Sequence, residues 1–195
     1  MIVVVMCWAN TSHNAEAFIY ESLDQPTIYI QIEMKTPANK MEQTTPETTY
    51  RTIAVPSHAD NSFKTYMDYR AITDHTSQQW KLQEKAYTDD KGLRKVGDYY
   101  CVALGSAFSS EIGAKFEITL EDGQTFKAIL ADQKADRHTD TTNKYRQLDN
   151  GKINVVEFIV DTNKLENLPK VMGDVSHVSD GEFAGEIIEI REIIE

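Results

Sequence analysis

Between Asp98 and Leu165 the chain sets Asp132, Asp136, His138, Asp140, Glu157 and Asp161 among apolar runs. DYYCVALGSAF comes first, IGAKFEITLEDGQTFKAILADQKADRHTD carries four of the six, and NVVEFIVD carries the last two. A carboxylate beside residues that strands bury is costly unless it is solvated, paired or protonated. A carboxyl that keeps its proton near neutral pH can act as a general acid, and the same group can then serve as a base. Asp132 follows the apolar run Ala128 to Ala131, at a strand end where a side chain can face a groove. Partial burial and the neighbouring charges of Asp136, Asp140 and Glu157 would each raise its pKa. The competing reading of Asp132 is a strand-end carboxylate that accepts backbone N–H bonds from the turn that follows. For Glu157 it is a solvated position on a half-exposed strand. Asp161 reads as the start of a turn.

His138-Thr139-Asp140 admits three readings: a loop fixed by a His-to-Asp hydrogen bond, a loop that lines a groove and touches substrate, or part of a divalent-metal set with Asp132 and Asp136. The D-x3-D-x-H-x-D spacing matches no established metal motif, so the first two are preferred and no metal or other cofactor is expected. Cys101 lies in a strand with no histidine close in sequence and reads as a buried structural thiol. Ser106 follows Gly105 without the context of a nucleophile elbow, and no glycine-rich phosphate loop is present. Trp80, Tyr99, Tyr100 and Tyr145 could stack on sugar rings or simply fill a core.

Several elements must position these groups. Phe116, Ile118 and Leu120 share one strand face, as do Phe126, Ala128 and Leu130. A two-residue Asp122-Gly123 loop would put the two sets on opposite sides. A three-residue loop, Glu121-Asp122-Gly123, pairs Ile118 with Phe126 and Phe116 with Ala128, and Gly123 supplies the positive φ of a bulge. Strands are expected over Tyr99–Leu104, Ala114–Leu120, Thr125–Ala131 and Asn154–Asp161, with turns at Asp89-Asp90-Lys91-Gly92 and Asp149-Asn150-Gly151. In the last of these strands Glu157 shares a face with Val155 and Ile159. A helix is expected over Thr76–Tyr87, where Thr76 and Gln79 have capping-box spacing and Leu82 and Ala86 fall on one face. A shorter helix is expected over Ser62–Arg70. The tail GEIIEIREIIE reads as a last strand, although Ile187, Ile190 and Ile194 also suit a helix face.

Further upstream, Thr27–Met34 (TIYIQIEM) alternates with the period of a strand, and Thr36–Thr52 reads as an extended linker broken by Pro37 and Pro46. Residues 1–17 are either a signal-like segment, with the small-x-small triplet Ala15-Glu16-Ala17 but no basic start, or a first core strand. This divides the chain into residues 1–17, an N-terminal strand and linker over 18–60, and a main domain over 61–195. With 195 residues the chain can bury a real core. Its formal charge of -11 argues against nucleic acid or an anionic membrane as the main partner, since both demand a basic face. No apolar run approaches the roughly 20 residues of a membrane span.

The order of a strand (YCVALG), a hairpin opened by IGAKFEITL, a strand ending in aspartate (ILAD), a loop, and a strand carrying a carboxylate (VEFIVD) resembles the 3D domain. That domain is a six-stranded double-psi β-barrel shared with the membrane-bound lytic transglycosylase A group and resuscitation-type cell-wall enzymes. Met67 to Leu165 also resembles uncharacterised proteins of Gram-positive bacteria and their phages or mobile elements, through YMDYRAIT, AYTD, GLR, YYCVALGS and ADQKADRHTD. Asp132 matches the family's first aspartate, and Glu157, before Phe158, matches the second, with Glu in place of Asp. The loop QKADRHTD stands where better-known members are glycine-rich.

The resemblance implies a mainly β protein, a six-stranded double-psi β-barrel preceded by short helices. It also implies a secreted or cell-surface location and peptidoglycan glycan strands as partner. Its expected activity is glycan cleavage of the lytic transglycosylase type. Asp132 is then the acid/base, Glu157 keeps it protonated or stabilises positive charge on the sugar, and Asp136, His138 and Asp140 support the site or contact substrate. The alternative is a non-catalytic double-psi barrel that binds cell-wall glycan or builds part of a phage or conjugation apparatus.

Overall fold

The computed structural model describes residues 48–194, so the signal-like segment, Cys7, the strand Thr27–Met34 and most of the linker lie outside the described residues. Strands are β1 (Thr49–Ile53), β2 (Tyr66–Asp68), β3 (Tyr87–Thr88), β4 (Arg94–Val96), β5 (Tyr99–Leu104) and β6 (Lys115–Leu120). They continue as β7 (Thr125–Gln133), β8 (Arg146–Gln147), β9 (Ile153–Asn154), β10 (Glu157–Val160) and β11 (Ile187–Ile194). Two helices accompany them, α1 (Gln78–Lys85) and α2 (Asn167–Met172), together with short 3-10 turns. No helix among the described residues is long and apolar enough to cross a membrane.

The protein is mainly β, as expected. Nine strands form one mixed sheet in the order β1-β11-β6-β7-β5-β10-β2, with β4 also on β5 and β3 on β4, while β8 and β9 pair separately. Two neighbouring pairs are parallel, β5 with β7 and β10 with β2. The sheet ends at β1 and β2 and does not close into a barrel, so the six-stranded double-psi barrel is not confirmed by the pairing.

The β6–β7 hairpin has the register its side chains demand. Phe116 faces Ala128 and Ile118 faces Phe126, and Gly123 takes φ +86° in the tip. All six apolar residues of the hairpin therefore enter one core. There Tyr100, Phe126, Phe158 and Phe183 form an aromatic cluster with centroids 4.8–6.3 Å apart. Such pairs contribute roughly 0.5–1.5 kcal/mol each beyond the area they bury. Tyr100 is thus core rather than a sugar platform.

The opposite face of β7, β5 and β10 holds a smaller cluster of Cys101, Ala103, Ile129, Ala131 and Ile159. Leu82 of α1 and Ala86 just beyond it pack there, as the helix periodicity requires. The α1 N-cap is Ser77, whose Oγ accepts from Trp80 N at 3.1 Å, one residue later than the expected Thr76. Thr76 is instead held by Asp74, whose carboxylate accepts from its backbone N–H at 2.9 Å.

Three expectations need correction. Ser62–Arg70 is not a helix: Tyr66–Asp68 is an edge strand parallel to β10, followed by a 3-10 turn, because pairing overrides the local preference. The end of the expected linker, Thr49–Thr52, is strand β1, paired with β11. Asn154–Asp161 is broken, so Val155 and Val156 both point into the main core and Glu157 shares its face with Ile159 alone of its two expected neighbours.

The tail is a strand, and its mixed periodicity has a cause. A register shift between Ile187 and Glu189 puts Ile187 and Ile190 on the same buried side, which mimics helical spacing.

Candidate functional site

Asp132 and Glu157 are brought together by β5. In the parallel β5–β7 pairing Ala103 stands beside Asp132, and in the antiparallel β5–β10 pairing it stands beside Glu157. Adjacent strands lie about 4.8 Å apart, so the two backbones are roughly 10 Å apart with the small Ala103 between them. Side chains aligned across neighbouring strands leave the sheet on the same side. That side is the one covered by α1, since Ala103 belongs to the cluster on which Leu82 packs.

A bulge sets this orientation. Val102 pairs with Leu130 but Ala103 pairs with Asp132, so Ala131 is the extra residue on β7. Phe126, Ala128 and Leu130 all point into the main core. By strict alternation Asp132 would follow them there. The extra residue moves it onto the α1 face, where Gln79 at the helix start favours its ionised form.

Asp132 is half-buried, and burial raises its pKa above the ordinary aspartate value. The negative charge of Glu157 raises it further, while hydrogen bonds from Gln133 N–H and Gln79 pull the other way. A raised pKa of this kind is what a general acid requires. Beyond β7, Lys134 crosses to donate from Nζ to Asn154 O at 2.9 Å. Burial brings its amine down to about 8, with Glu157 favouring the charged form and Arg146 opposing it.

The expected support residues lie in a neighbouring loop. Asp136 accepts from Ser106 Oγ at 2.7 Å, which also gives that serine a structural role. His138 and Asp140 do not bond to each other: Arg137 Nε donates to His138 Nε2 at 3.2 Å. Asp140 accepts from the backbone N–H groups of Thr142, Lys144 and Tyr145 at 2.7, 2.8 and 3.1 Å, and from the Thr142 hydroxyl. Its burial opposes ionisation, but these bonds outweigh that and hold its pKa at about 2. The loop also packs on Gly105, where a Cβ would lie 2.0 Å from Asn143 O, so only glycine lets the end of β5 approach it.

His138 and Asp140 line a pocket of about 390 Å³ together with Arg137, Thr139, Arg146 and Gln147. Asp132 and Glu157 are not among its walls. Asp161 begins a turn, its carboxylate accepting from Asn163 N at 3.1 Å and pairing with Arg70 at 3.3 Å. Cys101 is fully buried, which pushes its thiol up to about 12. Among the described residues no group of three or more His, Cys, Asp and Glu is placed to hold a metal ion.

Gln79, Lys134, Arg137 and Arg146 are the site residues that the sequence reading omitted. Gln79 could have been found from its place in the first turn of a helix that must cover a sheet face. Lys134, between two aspartates in an otherwise polar loop, gave no such signal. No family model, no curated protein and no solved structure matches the chain.

Proposed function

We propose that the protein cleaves peptidoglycan glycan strands by lytic transglycosylation, with Asp132 as the acid and base. The observation that carries this reading is the placement of Asp132: a bulge directs it away from the main core to stand across Ala103 from Glu157, with its pKa raised by burial and by that neighbour. In the proposed reaction the Asp132 carboxyl gives its proton to the glycosidic oxygen and the C1–O bond breaks. The C6 hydroxyl of the same muramyl residue then bonds to C1 and passes its proton to the Asp132 carboxylate. No water is consumed, the product is a 1,6-anhydro sugar, and Asp132 ends as it began. Glu157 supplies negative charge opposite the positive charge that develops on the sugar ring.

The similarity to the 3D domain and its double-psi barrel belongs to the same proposal. It is supported by the strand, hairpin, Asp132, loop and Glu157 order and by two parallel pairs within the sheet. Action on peptidoglycan implies a place at or outside the cell surface.

A second reading has its own observation. Asp132 stands on the face that α1 covers and the pair is absent from the walls of the 390 Å³ pocket, which suits a glycan-binding or structural component of a phage or conjugation apparatus. Digestion of purified peptidoglycan, followed by analysis for 1,6-anhydromuramyl products, separates the two.

A further inference from the structure

The chain has six arginines, and four are engaged by neighbours. Arg51 pairs with Glu192, Arg70 with Asp68 and Asp161, and Arg191 with Glu117. Arg94 is buried on Gln83, Thr88 and Ala86. The other two, Arg137 and Arg146, have no carboxylate partner among the described residues, although acidic residues outnumber basic ones by 31 to 20. Both line the same pocket. Among the described residues Arg137 uses only Nε, on His138, which leaves the outer nitrogens of its guanidinium unengaged, and Arg146 has its whole guanidinium unengaged.

A planar guanidinium fork matches an oxyanion, and two of them facing one cavity in an acidic protein mark a place for negative charge. The lining also sets the size of that charge. Asp140 stands in the same wall with its oxygens committed to its own turn, so two positive charges face one negative charge and a single positive charge remains. A monoanion fits this balance and a dianionic phosphate does not. A volume of about 390 Å³ admits one sugar or one peptide end.

We infer that Arg137 and Arg146 form a subsite for the carboxylate of a ligand. It neighbours the candidate pair, since Arg146 pairs with Asn154, three residues before Glu157, and Lys134 just beyond Asp132 donates to Asn154 O. If the ligand is peptidoglycan, which rests on the reading above, this carboxylate is either the lactyl group of muramic acid or the free end of a stem peptide.

The test is titration of the protein with N-acetylmuramic acid, with N-acetyl-D-alanyl-D-alanine, with neutral N-acetylglucosamine and with inorganic phosphate, followed through the arginine Nε resonances. Saturable binding of one carboxylate probe is expected and identifies the source. Arg146→Gln and Arg137→Gln should each weaken it by about tenfold or more, and Arg146→Lys by less. Equal binding of the neutral sugar, tighter binding of phosphate, no binding of either acid, or no effect of the substitutions overturns the subsite. None of the probes contains a bond for the enzyme to cleave, so failure here is distinct from failure of the cleavage reaction.

Discussion

Asp132 and Glu157 flank Ala103 from its two neighbouring strands, on the face of the sheet that α1 covers. The arrangement depends on the extra residue Ala131. Inserting one alanine after Ala131 would shift Asp132 to the position beside Leu104 and turn it toward the main core. A buried, unpaired carboxyl there should cost several kcal/mol, on the order of 3 or more. Chemical denaturation should show that loss, and adding Asp132→Val to the insertion should recover part of it. An insertion variant as stable as the parent would contradict the bulge.

The acidic end of the stability profile belongs in part to Asp140. Its folded pKa of about 2 lies below that of an unfolded aspartate, so its contribution is present above pH 4 and is lost as pH falls from about 4 toward 2. Asp140→Ala removes the acceptor of three backbone N–H groups. We expect a loss of about 1 kcal/mol at pH 7, discounted for solvent exposure, and a shallower acid transition in thermal unfolding.

Lys64 sets a test at the basic end. It is fully buried, and Nζ donates to Ser62 O at 3.0 Å and Gly185 O at 2.7 Å. Burial brings it to about 8, against 10.5 when free, while Asp174 and Asp60 favour its charge. Between those values the unfolded chain binds more protons, so this group makes stability rise with pH from about 8 to 10.5. Lys64→Met should lack that rise. Urea melts of both proteins across the window should differ by an amount that grows with pH, on the order of 1–3 kcal/mol.

Much of this was legible in the sequence. Alternation and the Gly123 turn gave the hairpin register because only one loop length buries both apolar sets. Asp161, Cys101 and the Asn150-Gly151 turn stand as their local chemistry required. Long-range pairing was not legible: Tyr66–Asp68 is a strand only because β10 lies beside it. The bulge left a trace that passed unread. Asp132 falls at a core position by parity, and an acidic residue there signals that the parity breaks before it. The two arginines of the pocket gave no signal either, since their lack of carboxylate partners among the described residues is a property of the folded surroundings.

The central claim is that Asp132 carries the proton in glycan cleavage. Its raised pKa has a second consequence: ionised Asp132 costs stability, increasingly as pH rises from the unfolded aspartate pKa through the folded one. Asp132→Asn should therefore stabilise the protein at pH 7, by roughly 0.5–2 kcal/mol. The decisive measurement is digestion of purified peptidoglycan by the parent and by this variant, with 1,6-anhydromuramyl products quantified by mass spectrometry. Products from the parent and none from the more stable Asp132→Asn variant are expected. Full activity in the variant, or no such products from the parent, would contradict the account.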